Sequence, residues 1–167
     1  RAADRWGHPP FRDAALRIVR DIRAHLAVTA GDFQLIAPAY FGFNGQAGHS
    51  FNTGYLILPA FAEFIKADDE AFWQRTLRDS QRLLEKAAFS RLKLPADWVA
   101  LENGQVTIAA GRSPFFGYEA IRAPLYLSWQ GESGKLSAFA DYLQFVERAG
   151  YLPNRVNLVD GSVAVEE

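Results

Sequence analysis

The sequence predicts an all-α architecture with short β-hairpins in its loops, and three observations carry the prediction. Apolar residues recur at helical spacing in five separate stretches. Alternating apolar segments are confined to two places, folded about Asn103-Gly104 and Asp160-Gly161. The chain of 167 residues suits one domain and can bury a real core.

The first helix is expected from Phe11 to Leu26, where Phe11, Ala15, Ile18, Val19, Ile22 and Leu26 form one stripe and Pro9 and Pro10 sit at the start. Thr29 to Phe51 reads as a long loop, rich in glycine and aromatic residues, and loops of that length are usually functional. A second helix, Gly54 to Ala67, is apolar nearly all round and is expected to be buried. Asp68 or Asp69 caps a third helix running to Phe89. Its inner face reads Trp73, Leu77, Leu84 and Ala88, and its outer face carries Arg75, Arg78, Asp79, Arg82 and Glu85. Trp98 to Glu102 and Gln105 to Ile108 form a hairpin on a type I′ turn. A fourth helix spans Tyr118 to Trp129. A fifth spans Gly134 to Ala149, with Leu136, Phe139, Leu143 and Val146 inward. Arg155 to Val165 closes the chain as a second hairpin.

A net charge of −1 with scattered basic residues gives no electrostatic footprint for nucleic acid. Cysteine is absent, which removes disulfides, thiol nucleophiles and thiolate metal sites together. His8, His25 and His49 have no partner at helical spacing, so no metal site is expected, and His25 reads as a packed residue beside the first helix's stripe. No phosphate-binding, dinucleotide-binding or nucleophile-elbow motif occurs. No cofactor is expected.

Carboxylates remain, and Glu119 stands out among them. It falls at the start of the fourth helix, where the helix dipole favours an anion, with Arg122 three residues on. Two readings stand: a surface ion pair, or a general base oriented by Tyr118 and Arg122. Asn52 reads either as a helix N-cap or as a donor to a sugar hydroxyl. Phe51, Tyr55 and Trp98 are candidates both for a groove and for the core, and Asp97 reads as a turn cap.

The run Phe116-Gly117-Tyr118-Glu119-Ala120-Ile121-Arg122-Ala123-Pro124-Leu125-Tyr126 resembles the tyrosine–aspartate–alanine–isoleucine–arginine segment of glycoside hydrolase family 8, especially the endoglucanases that accompany bacterial cellulose synthase. Ser50-Phe51-Asn52-Thr53-Gly54-Tyr55-Leu56, Gln81-Arg82-Leu83-Leu84, Pro95-Ala96-Asp97-Trp98-Val99 and Gly150-Tyr151-Leu152-Pro153 resemble further family segments in the same order. The resemblance implies that residues 1–167 are part of a single catalytic domain, an incomplete segment of an (α/α)6 barrel. It also implies inverting hydrolysis of β-1,4-glucan by two carboxylates. Glu119 takes the general base's position, where the subgroup has aspartate. Tyr118, Arg122, Asn52, Phe51, Tyr55 and Trp98 become candidate substrate contacts. The family's acid and a further aspartate belong to motifs expected before Arg1, and its last helices beyond Glu167, so hydrolysis by the chain alone is not expected. A periplasmic or secreted setting beside the cellulose synthase machinery follows from the same resemblance. The same fold acting on chitosan or xylan, a glycan-binding remnant and a helical scaffold are the alternatives.

Overall fold

A computed structural model of the chain describes residues 2–45 and 48–164. It is helix-rich with three small antiparallel sheets. Helix α1 (Ala2–Trp6) turns through Gly7 into α2 (Pro9–Leu26), whose two leading prolines occupy positions where a missing N–H costs nothing. Only Val19 of the expected stripe is fully buried; Phe11 and Ile18 lie on the surface, and so does His25, whose ring meets Tyr40 edge-on.

The expected loop after α2 is folded. Strands β1 (Ala27–Ala30) and β2 (Phe33–Ile36) form a hairpin on a two-residue turn that opens with Gly31 at φ +60°. Alternation drives it, since Phe33, Leu35 and Ala37 are fully buried while Gln34 and Ile36 between them are only half-buried. Strands β3 (Asn44–Gly45) and β4 (Gly48–Asn52) follow, and β4 pairs with β5 (Trp98–Glu102). Strand β6 (Gln105–Ile108) completes the four-stranded sheet through the expected turn, with Asn103 and Gly104 both at positive φ.

The buried second helix starts later than its apolar run. A short 3-10 turn, Thr53–Tyr55, precedes α3 (Leu58–Ile65). Pro59 sets that boundary: at the second helical position it breaks nothing, whereas a helix begun at Gly54 would place it where its N–H is needed. Tyr55 and Ile57 stay exposed in consequence.

Helix α4 (Glu70–Lys86) begins at Asp69, whose carboxylate accepts from the Phe72 N–H. Its buried edge is Trp73, Thr76, Ser80, Leu83 and Ala87, rotated from the expected face; Leu77 and Leu84 are half-buried and Ala88 is exposed. Asp79, expected outside, is buried, because β2 lies across this helix and the Gln34 N–H donates to Asp79 Oδ2 at 2.8 Å. Trp73 is the centre of the helical core, with Phe61 and Phe64 of α3 against it at 5.9 and 4.9 Å between ring centroids.

Asp68 ties α2 to the start of α4. Its carboxylate is 6% exposed, accepts from Arg23 Nε at 2.6 Å and Arg23 Nη2 at 3.2 Å, and takes the Trp73 Nε1–H at 3.1 Å. The Arg23 hydrogen bond holds its pKa at about 2, below the ordinary 3.8. A depressed carboxylate pKa stabilises the fold above the unfolded value, so this contribution is expected to disappear as pH falls from about 4 to about 2. Asp68→Ala is expected to cost on the order of 1–2 kcal/mol at neutral pH, with the charge-dependent part of that cost shrinking as pH falls through about 2. Urea unfolding of both proteins across that range is the measurement; a penalty that does not change with pH would mean that only packing was lost.

Strand β7 (Phe115–Phe116) then leads to α5 (Arg122–Trp129), a 3-10 segment Ser133–Phe139 and α6 (Ala140–Ala149). On α6, Tyr142 is buried against Phe116 and Leu143 faces outward, one residue out of phase with the expected stripe. The phase shifts because the 3-10 segment winds three residues per turn, so the two halves do not share one 3.6-residue period. Gly150 ends α6 in the left-handed conformation at φ +73°. Strand β8 (Arg155–Asn157) pairs with β7 and with β9 (Val163–Ala164), which gives the expected closing hairpin. Val165, its expected end, and Arg1 and Glu167 lie outside the described residues. Among those described, no helix is long and apolar enough to cross a membrane.

Candidate active site

Glu119 sits on a turn, residues 117–121, just ahead of α5 and not inside it. Pro124 explains the difference. In α5 it is the third residue, where no intrahelical N–H bond is required; in a helix begun at Tyr118 it would be the seventh, where one is. The turn is closed by Ile121 N–H to Gly117 C=O at 3.0 Å and Arg122 N–H to Glu119 C=O at 3.2 Å. The helix-dipole argument for the charge of Glu119 therefore gives way to a direct contact: Arg122 Nη1 donates to Glu119 Oε2. The Glu119 side chain is 29% exposed. It is neither a solvated surface pair nor a sealed charge.

Two remote elements hold this turn in place. Asp97, immediately before β5, reaches across with its carboxylate: Oδ1 accepts from Gly117 N–H at 3.0 Å and from Ala120 N–H at 2.8 Å. Its backbone extends the join, donating to Phe115 C=O at 2.7 Å and accepting from Thr53 N–H at 3.0 Å. Asp97 thus caps a turn, but the one that carries Glu119 and not one beside its own hairpin. Burial pushes its pKa up, the three N–H groups of Gly117, Glu119 and Ala120 pull it back, and the charge of Glu119 raises it again. The second support is Gly54, packed with its Cα directly on the Glu119 backbone. A methyl group added there would lie 2.8 Å from the Glu119 carbonyl carbon and 3.0 Å from its Cα.

Asp97→Ala leaves turn N–H groups, those of Gly117 and Ala120 among them, without their acceptor and is expected to cost about 2–3 kcal/mol. Asp97→Asn keeps an acceptor oxygen and removes a half-buried charge, so the fold is expected to survive. A carboxylate with a raised folded pKa makes the native state bind protons more readily, so the wild type gains stability as pH falls toward 3.8. The asparagine variant lacks that gain. Its stability relative to wild type is therefore expected to be greatest at neutral pH and to decline on acidification, read from denaturant midpoints.

The other candidates divide. Asn52 is 1% exposed and its Oδ1 accepts from Gly54 N–H at 2.9 Å, so its side-chain oxygen serves as the cap. Its Nδ2 is buried with no partner among the described residues. Phe51 is fully buried in the core, because β4 turns it inward opposite Val99. Tyr55 and Tyr118 are 49% and 62% exposed. Trp98 is half-buried, stacked on Phe43 at 5.4 Å and met edge-on by Tyr55 at 6.3 Å. The turn residues Gly117 and Tyr118 border a cleft of about 440 Å³ whose wall also includes Asp97, Trp98, Arg112 and Arg155. Nothing in the sequence marks Phe43 or the two arginines: Phe43 lies in the glycine-rich and aromatic-rich stretch that reads as a loop, and the arginines carry no periodic or motif signal.

A carboxylate–guanidinium pair on a rigid turn, beside an aromatic-walled cleft, is an arrangement suited to general acid–base work on a sugar. The model of the glycosyl hydrolases family 8 matches residues 1–166, and the chain belongs to that family. Within it, the chain is similar to enzymes named endoglucanases. It is 30% identical to the endoglucanase of Cellulomonas uda, over 98% of this chain and 46% of that protein, and 29% identical to a probable endoglucanase of Novacetimonas hansenii, over 97% and 48%. Among solved structures, an endo-β-1,4-glucanase from Acetobacter xylinum superposes with a TM-score of 0.89 at 27% identity, covering 99% of this chain and 53% of that one. A family 8 endo-β-1,4-glucanase from an Achatina fulica gut metagenomic library does so with a TM-score of 0.89 at 31% identity, covering 98% and 52%. The chain spans about half the length of these relatives.

Proposed function

We propose that this chain carries the general-base half of an inverting endo-β-1,4-glucanase, with Glu119 as the base, and that its helices form part of an (α/α)6 barrel. The observation that carries the reading is the position of Glu119: paired with Arg122 and fixed by Asp97 and Gly54 on a turn beside the aromatic cleft. Similarity to family 8 endo-β-1,4-glucanases supports the substrate class and the barrel. In the proposed step Glu119 takes a proton from a water as the water oxygen bonds the anomeric carbon and the glycosidic C–O bond breaks. A second carboxylic acid, on the opposite side of the bond and about 6.5–9.5 Å away, protonates the leaving oxygen. The reading assigns that acid to no residue of this chain. In this reading Arg122 orients the base, and Tyr118 and Trp98 on the cleft wall, with Tyr55 against Trp98, are the contacts for sugar rings. The likeness of the Glu119 segment to endoglucanases that accompany cellulose synthase supports a periplasmic or secreted setting beside that machinery.

Reducing-sugar release from carboxymethyl cellulose, chitosan and xylan tests the reading, for the 167-residue chain and for the whole reading frame that contains it, each with and without Glu119→Gln. Cleavage of cellulose with the α-anomer formed first, lost in the variant, is the expected result. A β-anomer product overturns inversion, and cleavage of chitosan or xylan alone overturns the substrate class.

A further inference from the structure

We propose that the cleft beside Tyr118 is a subsite for a carboxylate-bearing sugar, a glucuronate-type unit within the β-glycan, and that Arg112 and Arg155 determine this specificity. The inference rests on the reading of the Glu119 region as a glycan site and names what that site prefers.

Both guanidinium groups border the same cleft, and each lies over an aromatic face: Arg112 Cζ is 4.4 Å from the Trp98 ring centre, and Arg155 Cζ is 4.8 Å from that of Phe115. A guanidinium held over a ring by its charge keeps its N–H donors in its own plane, where the aromatic contact does not use them. Neither forms an ion pair among the described residues, in contrast to Arg23, Arg82 and Arg122, which meet carboxylates. The elements that carry them are fixed independently. Arg112 follows a turn closed by its own N–H to Ala109 C=O at 3.2 Å, and Arg155 is in β8, paired with Ala164.

The third charged group on the wall is Asp97. Its Oδ1 is committed to the N–H groups of the Glu119 turn, and its Oδ2 lies where a side chain on Gly117 would collide with it, at 2.8 Å. Two guanidiniums against one carboxylate leave the wall with surplus positive charge, directed at a cleft of about 440 Å³, a size typical of small-molecule sites. A neutral glucan has hydroxyls for these donors but nothing for the charge. A C6 carboxylate answers both, because it accepts paired N–H bonds from a guanidinium in a single plane. Exposure of both arginines keeps the effect moderate: about three- to tenfold in affinity at low salt, shrinking as the Debye length shortens.

Calorimetric titration of the protein with cellotetraose, and with the matched tetrasaccharide oxidised to the carboxylate at C6 of one unit, tests this directly. The acidic ligand is expected to bind about three- to tenfold tighter at low ionic strength. Arg112→Gln with Arg155→Gln is expected to erase that preference, so that the variant binds the acidic ligand no tighter than it binds cellotetraose. Arg155→Gln alone, which spares the packing on Trp98, is expected to erase part of it. Equal or weaker binding of the acidic ligand overturns this proposal and leaves the glucanase reading standing. A preference that survives in the double variant overturns the assignment to the arginine pair. Binding of neither sugar overturns both readings.

Discussion

With Glu119 as the proposed base, Glu119→Gln in the whole reading frame is expected to lower kcat on β-1,4-glucan by about 10³-fold, within the range by which positioned general bases accelerate reactions, with KM and the melting temperature nearly unchanged. Glutamine matches glutamate in shape and offers an amide oxygen to Arg122 Nη1, so the turn keeps its geometry. What it loses is the ability to take a proton from water. The i,i+3 ion pair itself contributes only a few tenths of a kcal/mol to stability, so a collapse of the fold is not the expected cause of inactivity. Glu119→Asp is the informative companion. It restores the residue found at this position in the similar family segments but shortens the side chain by one methylene. A variant that gains rate would show that the backbone has not moved to accommodate glutamate; one that loses about 10²-fold would show that it has. Cleavage by Glu119→Gln at the wild-type rate would reduce Glu119 to an ion-pair residue and require the base to be sought elsewhere.

Gly54→Ala is expected to be nearly as damaging, by a different route. The added methyl group has no flexible neighbour to push aside, since what it meets is the backbone of Glu119. Either the turn or the 3-10 segment must shift by tenths of an ångström to about one ångström. Displacing a reacting group by ~1 Å costs on the order of 10²-fold in rate. Overpacking at a buried backbone contact costs about 1–3 kcal/mol, so the variant is expected to fold with a lowered melting point and a kcat loss larger than its loss of folded protein. Gly134→Ala is the control, because a methyl group there meets nothing within 4 Å. An unchanged kcat in folded Gly54→Ala protein would mean that the backbone contact does not set the position of the base.

The places where sequence and structure part company share a physical cause. The Asn103-Gly104 hairpin and a cap at Asp68 or Asp69 are legible because the signal lies within a few residues: positive φ at two adjacent positions, and a carboxylate three residues from its N–H, which the structure shows to be that of Asp69. The β1–β2 hairpin carried the same kind of signal in Phe33, Leu35 and Ala37, but glycine and aromatic content around it reads as loop. Charge on a helix usually faces water, so the sequence puts Asp79 outside; it is inside because β2 brings a backbone N–H that needs an acceptor. Tyr142 is inside and Leu143 outside because a 3-10 segment interrupts the 3.6-residue period ahead of α6. At the site, spacing alone linked Glu119 to Arg122, and the resemblance singled out the region. Asp97 is legible only as the cap of a turn before its own hairpin, not of the remote turn that carries Glu119, and nothing local marks Gly54 as anything but a glycine at the start of a helix.

By itself, then, the sequence determined the helices and hairpins set by local periodicity, caps and turn residues, along with the family and its candidate base. Tertiary structure alone decided which faces are buried, that Phe51 belongs to the core, that Asn52 caps a turn, and that Asp97 and Gly54 hold Glu119 from two directions. Those outcomes depend on contacts between residues tens of positions apart, and a chain leaves no periodic trace of where it will meet itself.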